Sequence, residues 1–284
     1  MEYFELARST YIENWPDKLN RLSLAQVDIP LTRIDALAMG LSIMEWAEGF
    51  RQYLGHDDIT EVKHGPLVVG EATKHLLQQA RERYYREIHK ALGKFPKGAF
   101  IRLGSRSPKD SWWAHKNGFC IKNVAQAKLL LQDSSERLSD DLHMALQNDY
   151  EPHLFVREWL DFKPWQEFRC FVKGRRLIGV SQYNYGGEVH FPEVKKYADT
   201  IKWAIQHFHS KFFLKAIHLK DVVFDVVVFV KERGDEREVQ VKLLEINPFG
   251  EWTDPCLFDW RKKDEWKEEF RYTEENGDAH CSGL

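Results

Sequence analysis

One carboxylate, that of Asp225, lies inside the otherwise apolar stretch Val222-Val223-Phe224-Asp225-Val226-Val227-Val228-Phe229-Val230. The β-branched residues of this run predict a strand that is buried on both faces. A buried carboxylate needs a cation or a strong hydrogen-bond donor, because desolvating it without a partner costs several kcal/mol. Asp225 is therefore a candidate functional residue.

A second strand is predicted after a charged turn around Gly234, from Val239 to Ile246, and it ends in polar residues. Glu245 and Asn247 are two residues apart, so both point to one face of the sheet. If the two strands pair as an antiparallel hairpin, Asp225 converges with them. Three hard oxygen ligands suit Mg²⁺ held together with a nucleotide. The structural alternative is a backbone or Arg partner for Asp225 and an exposed strand end for Glu245.

Composition is that of an ordinary globular protein, with 43% hydrophobic and 30% charged residues among 284. No apolar run approaches the roughly 20 residues of a membrane span, and the acidic N-terminus does not resemble a secretory signal. The four cysteines occur singly, which disfavours a disulfide framework or a zinc site. We therefore expect a cytoplasmic protein with no membrane partner.

The net charge of −3 conceals a strongly basic stretch. Between Arg81 and Lys116 the sequence holds ten cations and three anions. The two interpretations are a solvated helix face followed by an exposed loop, and a phosphate-binding surface. Arg83, Arg86 and Lys90 are predicted to project to solvent from that helix, opposite an apolar stripe.

Hydrophobic periodicity predicts helices in the first ninety residues and more strands afterwards. Gly65 to Gly70 is predicted to be a short strand or a turn. Predicted helices are Ile34 to Leu54, Glu71 to Leu92, Ala125 to Leu131, Asp140 to Leu146 and Val194 to Leu214, and further predicted strands are Ala99 to Leu103, His153 to Leu160, Glu167 to Val172 and Arg176 to Ser181.

These stretches also carry a family resemblance. Asp225 followed by Glu245-x-Asn247 resembles the magnesium-binding end of the ATP-grasp fold. From about Phe100 to Asp259 the chain resembles the cell division cycle protein 123 (D123) family. The motifs are Ser107-Pro108-Lys109-Asp110 with Trp112-Trp113, Arg157-x-Trp159, Glu167-Phe168-Arg169-Cys170-Phe171-Val172-Lys173, Leu177-Ile178-Gly179-Val180-Ser181-Gln182, Val223-Phe224-Asp225, Asn247-Pro248-Phe249-Gly250-Glu251-x-Thr253-Asp254 and, more weakly, Phe270-Arg271-Tyr272.

The resemblance implies an α+β protein with a two-lobed ATP-grasp fold, in which antiparallel sheets sandwich ATP. The predicted organisation has four parts. A mainly helical N-terminal region with the basic helix covers residues 1–98, the first lobe 99–160, the second lobe with the magnesium site 161–260, and a C-terminal tail 261–284.

The resemblance also implies site residues for ATP and magnesium. Asp225, Glu245 and Asn247 would hold the metal. Arg169 would face the phosphates, although pairing with Glu167 or Glu158 on a sheet surface is the structural alternative. Arg102 stands where ATP-grasp proteins usually place a phosphate-binding lysine. With Arg169, the candidate catalytic residues are Arg102 and Lys109, and the further ATP-binding residues are Ser107 and the adenine hinge Val156-Arg157-Glu158-Trp159, which would use its backbone.

Three functions are compatible with such a site. The favoured hypothesis is a magnesium-ATP-dependent ligase for RNA repair, which activates a terminal phosphate by nucleotidyl transfer and joins RNA ends. The basic helix before the first phosphate-contact strand supports it, because eukaryotic family members are acidic there. The alternatives are an ATP-binding assembly chaperone for a translation initiation factor of the eukaryotic initiation factor 2 type, and a carboxylate–amine ligase.

Overall fold

The computed structural model describes residues 2–54, 59–60, 68–186, 189–234 and 236–284. The α-helices are α1 (Glu2–Arg8), α2 (Asp17–Asn20), α3 (Arg33–Gly40), α4 (Glu71–Leu92), α5 (Trp112–Asn117), α6 (Val124–Gln132), α7 (Glu136–Gln147), α8 (Pro192–Lys196), α9 (Ala198–Phe208) and α10 (Leu214–Ala216). The strands are β1 (Gln26–Pro30), β2 (Ile59–Thr60), β3 (Val68–Val69), β4 (Ala99–Leu103), β5 (His153–Glu158), β6 (Glu167–Lys173), β7 (Arg176–Gln182), β8 (Val222–Arg233), β9 (Glu236–Pro248), β10 (Glu269–Thr273) and β11 (Ala279–Gly283). Short 3₁₀ helices span Ile12–Asn14, Ala47–Tyr53, Pro164–Gln166 and Trp260–Glu265, and a π-helix spans His209–Phe213.

The chain forms two compact units. Residues 25–159 are the small-sheet unit, and residues 1–24 together with 160–284 are the large-sheet unit. The predicted division near residue 160 coincides with a unit boundary. The predicted N-terminal region 1–98 is instead divided between the two units, because β1 pairs with β5 inside the small-sheet unit.

The small-sheet unit is built on the antiparallel order β1-β5-β4, with helices packed around it. Helix α4 has the predicted bounds and buries Leu77, Tyr84 and Ile88, which follow one helical stripe. Leu76 of the same helix is 53% exposed. It lies one residue, or about 100° of helical rotation, away from Leu77.

The helix predicted over Ile34 to Leu54 is wrong beyond its first turns. Helix α3 starts at a capping box in which Thr32 and Asp35 bond each other's backbone N–H groups, and it ends at Gly40. The ring of Phe50 packs directly over Gly40, where a Cβ atom would collide with it. Glu45 has a φ of 68°, a left-handed conformation that ends a helix. The chain therefore folds back and continues as the 3₁₀ helix Ala47–Tyr53.

The large-sheet unit contains the sheet β11-β10-β7-β6-β8-β9, in which β10 and β7 are parallel and the other pairs antiparallel. Both predicted hairpins are present, β6 with β7 and β8 with β9. Residues 261–284, predicted as a tail, contribute β10 and β11 to this sheet. The observed elements make the chain an α+β protein, as predicted.

One face of the large sheet packs against α9 and the residues that follow it. Ile201, Ile205 and Phe208 are buried there, as the sequence pattern predicts. The helix predicted over Val194 to Leu214 is interrupted, because α8 ends at Lys196 and the π-helix follows α9. Part of the predicted turn at Gly65 to Gly70 lies outside the described residues, and its end forms β3. Within the described ranges, no helix has the length and hydropathy to span a bilayer.

Candidate functional site

A row of polar residues crosses the large sheet at one register level. Arg169 of β6 lies opposite Ser181 of β7 and Asp225 of β8, and Asp225 lies opposite Glu245 of β9. On the other side, Ser181 lies opposite Arg271 of β10. Directly paired residues on neighbouring strands share a face of the sheet. These five residues, the polar row, therefore project from one face.

Arg169 and Asp225 form a buried ion pair at the centre of the polar row. Nε of Arg169 donates to Oδ1 of Asp225 over 2.9 Å, and Nη2 donates to Oδ2 over 2.8 Å. The two residues are 4% and 1% exposed. Burial alone lowers the pKa of the Arg169 guanidinium, but the charge of Asp225 and its hydrogen bonds raise that pKa well above its ordinary value. The carboxylate partner of Arg169 is thus Asp225, and not the Glu167 or Glu158 considered from the sequence.

A bulge in β9 decides which side chains face Asp225. Asp225 pairs with Glu245, whereas Val226 pairs with Leu243, so Leu244 is the extra residue of a β-bulge. Glu245 and Asn247 consequently lie on the face of Asp225, half-buried, and Nδ2 of Asn247 donates to Oε1 of Glu245 over 3.0 Å. The structure therefore brings the three predicted metal ligands together on one face.

Asp225, Glu245 and Asn247 offer side-chain oxygens of the kind that Mg²⁺ prefers, and the metal role of these residues stays a prediction. Within the described part of the chain, no group of three His, Cys, Asp or Glu side chains is arranged to hold a metal. A metal here would take oxygens from Asp225, Glu245 and Asn247 and complete its shell with ligand or water oxygens, as Mg²⁺ prefers. Asp225 would then exchange Arg169 for the metal.

The chain segment from Asp254 to Leu257 lies over the polar row and is bound to it through its backbone. Arg169 donates to the carbonyl of Asp254 over 2.9 Å, and Arg271 donates to the carbonyl of Leu257 over 2.9 Å. The amide of Leu257 donates to Oγ of Ser181 over 3.2 Å. The polar row thus holds this segment in place as well as forming the candidate site.

Two tyrosines and a cysteine complete the surroundings of Arg169, and sequence reasoning missed all three. The guanidinium of Arg169 lies over the ring of Tyr183 at 4.8 Å. Burial and then the hydrogen bond to Asp254 raise the pKa of Tyr185 to about 12. Burial raises the pKa of the Cys256 thiol to about 12, so this thiol is not activated. All three residues come just after the ends of two quoted family motifs, which was the available signal.

An aromatic cluster covers the rest of this sheet face. The phenyl ring of Phe258 lies 2.7 Å from the point where a Cβ on Gly179 would be, so only glycine permits this close packing. The cluster's buried members are Phe171, Val223, Phe258, Trp260 and Trp266. It leaves the polar row as the chemically distinct part of the face.

Arg102 of the small-sheet unit is buried and turned towards backbone. Its Nε donates to the carbonyl of Leu103 over 2.9 Å and its Nη2 to the carbonyl of Ser105 over 3.0 Å. Ser107 is 1% exposed and its Oγ has no hydrogen-bond partner. Lys109 is half-buried in the same loop, where its amide donates to the carbonyl of Ser107. The phosphate-binding roles of these residues stay predictions.

The loop that carries Ser107 and Lys109 is pinned to the start of α7. Asp110 accepts hydrogen bonds from Oγ of Ser135 and from the amide of Arg137. Nε of Arg137 donates back to the carbonyl of Ser107 over 3.0 Å. These bonds give the loop a defined position within the small-sheet unit.

The predicted adenine hinge lies on the central strand of the small sheet. Val156 pairs with β1 on one side and β4 on the other. The amide of Glu158 donates to the carbonyl of Ala25 over 2.8 Å, and that of Trp159 to the carbonyl of Gly98 over 3.1 Å. Arg157 is buried. The hinge role stays a prediction. If adenine accepts a hydrogen bond from the amide of Glu158 or Trp159, that amide must give up its present bond to a backbone carbonyl.

Several cations of the basic stretch bind other residues of the same unit. Arg81 donates to Oγ of Ser42 over 2.9 Å. Arg83 binds the buried carboxylate of Asp35, its Nε lying 3.1 Å from Oδ1. Arg83 therefore projects to solvent only in part, with its side chain 38% exposed, because its guanidinium binds the buried acid of α3. Arg86 and Lys90 are exposed as predicted.

Comparison with known proteins assigns the chain to a family. The sequence model of the D123 family matches residues 68–282. The chain belongs to the D123 family. This confirms the resemblance carried by the motifs around Arg169, Asp225 and Asn247.

Curated proteins similar to this chain are named for eIF2 assembly or as cell division cycle protein 123. The chain is 28% identical over 204 residues to "Translation initiation factor eIF2 assembly protein" of Xenopus tropicalis, covering 69% of this chain and 57% of the relative. It is 28% identical over 224 residues to the protein of that name in Schizosaccharomyces pombe, covering 72% and 66%. The chain spans between about half and two thirds of the length of these relatives.

A solved D123-family structure has the same fold. Cdc123 from Schizosaccharomyces pombe superposes with a TM-score of 0.66 at 22% identity, over 93% of this chain and 92% of that chain. The α+β fold that the ATP-grasp resemblance implied is confirmed by this match.

The favoured function, an ATP-dependent ligase enzyme that joins RNA ends, is wrong. The named relatives are eIF2 assembly proteins, and this supports the alternative of an assembly role. The ligase hypothesis depended on the basic stretch being a phosphate-binding surface, but several of its cations bind side chains of the same unit. Arg81, Arg83 and Arg106 bind Ser42, Asp35 and Asp141, so these cations stabilise the small-sheet unit.

Proposed function

We propose that this protein binds ATP with Mg²⁺ at the polar row and assists the assembly of translation initiation factor eIF2 by binding one of its subunits. The observation that carries the nucleotide part is the buried Arg169–Asp225 pair beside Glu245 and Asn247. The names of the D123 relatives support the assembly part.

A buried ion pair favours a binding role over a purely structural one. Replacing such a pair by well-packed apolar side chains is often neutral or stabilising, so stability alone does not explain its presence. Here the pair lies next to the side-chain oxygens of Glu245 and Asn247, on a sheet face whose other part is the aromatic cluster. The guanidinium fork that binds Asp225 is equally suited to phosphate oxygens. One pair can therefore supply a metal ligand and a phosphate ligand.

Magnesium-ATP should stabilise the wild-type protein, and Asp225→Asn should remove most of that stabilisation. The amide keeps the size of the side chain but lacks the negative charge that a divalent cation requires. At a ligand concentration 100 times Kd, a single site adds about 2.7 kcal/mol to the free energy of unfolding. The measurement is the shift in Tm on adding magnesium-ATP, with ATP plus EDTA as the metal-free reference.

The matched control for this experiment is Glu238→Gln, which changes an exposed carboxylate on the same hairpin. It should keep the wild-type shift in Tm. Comparing shifts, and not absolute Tm values, separates ligand binding from the stability that Asp225→Asn loses through Arg169. If magnesium-ATP shifted the Tm of wild type and Asp225→Asn equally, Asp225 would not be a ligand of the site.

The assembly role predicts direct binding of an eIF2 subunit. Each eIF2 subunit of Schizosaccharomyces pombe and of Xenopus tropicalis would be immobilised separately, and binding of this protein measured by biolayer interferometry with and without magnesium-ATP. We expect saturable binding to one subunit. Binding to none of them would overturn the assembly role while leaving the ATP experiment unaffected.

A further inference from the structure

Exposed aromatic side chains form a continuous ridge on the outer side of α9 and the π-helix. Trp203 is 60% and Phe212 49% exposed. The ring of Trp203 stacks on His207 with centroids 5.2 Å apart, and His207 contacts Phe212 edge-on at 5.8 Å. Trp203, His207 and Phe212 are called the aromatic ridge. Large aromatic groups brought together in water indicate a surface that is covered by a partner.

The π-helix is what brings Phe212 into the aromatic ridge. Residues five apart on an α-helix are rotated by about 140° from each other. A π-helical turn bonds residue i to residue i+5 and therefore turns less per residue than an α-helix, and the rings of His207 and Phe212 are in contact here. Phe208 and Phe213 point inward at the same time and pack on Phe224. Such turns are rare and occur frequently at functional sites.

The chain segment that carries the aromatic ridge contains lysines, two of which are exposed beside Phe212. Between Thr200 and Lys220 the sequence contains four lysines and no acidic residue. Lys211 and Lys215 are exposed next to Phe212. Lys202 binds Asp199 and the carbonyl of Gly283, so its charge is already compensated. The ridge therefore combines apolar anchors with two exposed cations.

We infer that the aromatic ridge is the surface on which this protein docks an acidic segment of an eIF2 subunit. This inference rests on the proposed function. Trp and other aromatic side chains dominate the binding energy of protein interfaces when an apolar group of the partner packs on them. Lys211 and Lys215 at the edge complement negative charge and accelerate association. An acidic segment with an apolar side chain satisfies both features.

The test uses two pairs of substitutions on the ridge and two controls outside it. Trp203→Ala with Phe212→Ala removes the anchors, and Lys211→Glu with Lys215→Glu reverses the charge. All four side chains are exposed, so the fold should survive, and Tm would be checked. The controls are Trp112→Ala, 70% exposed, and Lys122→Glu, both in the small-sheet unit.

The expected result is a loss of at least about tenfold in affinity for the eIF2 subunit in the aromatic variant. The charge-reversal variant should associate more slowly at low salt, and the controls should match wild type. The magnesium-ATP shift in Tm should be unchanged in every variant, because none of these residues belongs to the polar row.

Three results would overturn the inference. If the ridge variants bind the eIF2 subunit as wild type does, the docking surface is elsewhere and the proposed function stands. If wild type binds no subunit, the proposed function and this inference both fail. If a single-stranded 12-nucleotide RNA binds wild type in a ridge-dependent way while the eIF2 subunit does not, the ridge is a nucleic-acid surface.

Discussion

Replacing Asp225 with alanine should lower the free energy of unfolding by about 3–5 kcal/mol, because it leaves the Arg169 guanidinium buried without its counter-ion. Arg169 would retain its bonds to the carbonyl of Asp254 and its contact with Tyr183, but no charge would compensate it. The measurement is urea-induced unfolding without ligand.

The double variant Arg169→Met with Asp225→Leu distinguishes the loss of one charge from the loss of the whole ion pair. It removes both charges and keeps apolar volume, so its free energy of unfolding should lie above that of Asp225→Ala, and it falls short of wild type by the lost bond of Arg169 to the carbonyl of Asp254. Together with the single variants Arg169→Met and Asp225→Leu it gives the coupling energy of the pair. A loss below about 1 kcal/mol in Asp225→Ala would show that the pair is not buried as described.

Arg83→Glu should be the most damaging charge reversal on α4, with an expected loss of about 1–3 kcal/mol, since it deprives the buried Asp35 of its cation and opposes it with a like charge. The side chain of Asp35 is 1% exposed and also forms the capping box of α3 with Thr32. Arg83 further donates to the carbonyl of Pro30, so the substitution affects α3 and β1 together.

Arg86→Glu on the same helix is the matched control for Arg83→Glu. Arg86 is exposed, and its reversal should change the free energy of unfolding by no more than about 0.5 kcal/mol. Both variants would be measured by thermal and urea unfolding in the same buffer. Equal stability of the two variants would mean that Arg83 is a surface cation after all.

The elements predicted well from the sequence are those with a complete local pattern. Helix α4 has an uninterrupted apolar stripe and a glycine after its last residue, and its observed bounds match. The hairpin of β8 and β9 has β-branched runs on both sides of a charged turn. In these segments local preference and burial favour the same conformation, so the sequence pattern is sufficient.

The elements that were missed depend on contacts distant in sequence. Nothing local in Ile34 to Leu54 shows that Phe50 returns to pack on Gly40. Strand β10 joins the sheet through parallel pairing with β7, about ninety residues earlier in the chain. Register with a distant strand is not encoded in local periodicity, and so residues 261–284 were predicted only as a tail.

The sequence was sufficient to predict the three candidate metal ligands but not the ion pair between Arg169 and Asp225. The spacing of Glu245 and Asn247 and the apolar context of Asp225 identified three residues that the structure brings together. That Arg169 binds Asp225 depends on the register of β6 against β8, which the sequence did not reveal. The same register places Ser181 and Arg271 in the polar row.

The bulge at Leu244 means that β9 contains one residue more than β8 opposite it, just before Glu245 of the polar row. Leu243 and Ile246 both pair with residues of β8 that face away from this row, although they are three positions apart. Deleting Leu244 would convert the bulge into a regular ladder and leave Glu245 and Asn247 on their present face. Deleting Ile246 instead would let the ladder close by drawing Leu244 into register, and Glu245 would turn to the opposite face. The strand should therefore tolerate a one-residue loss before Glu245 but not after it.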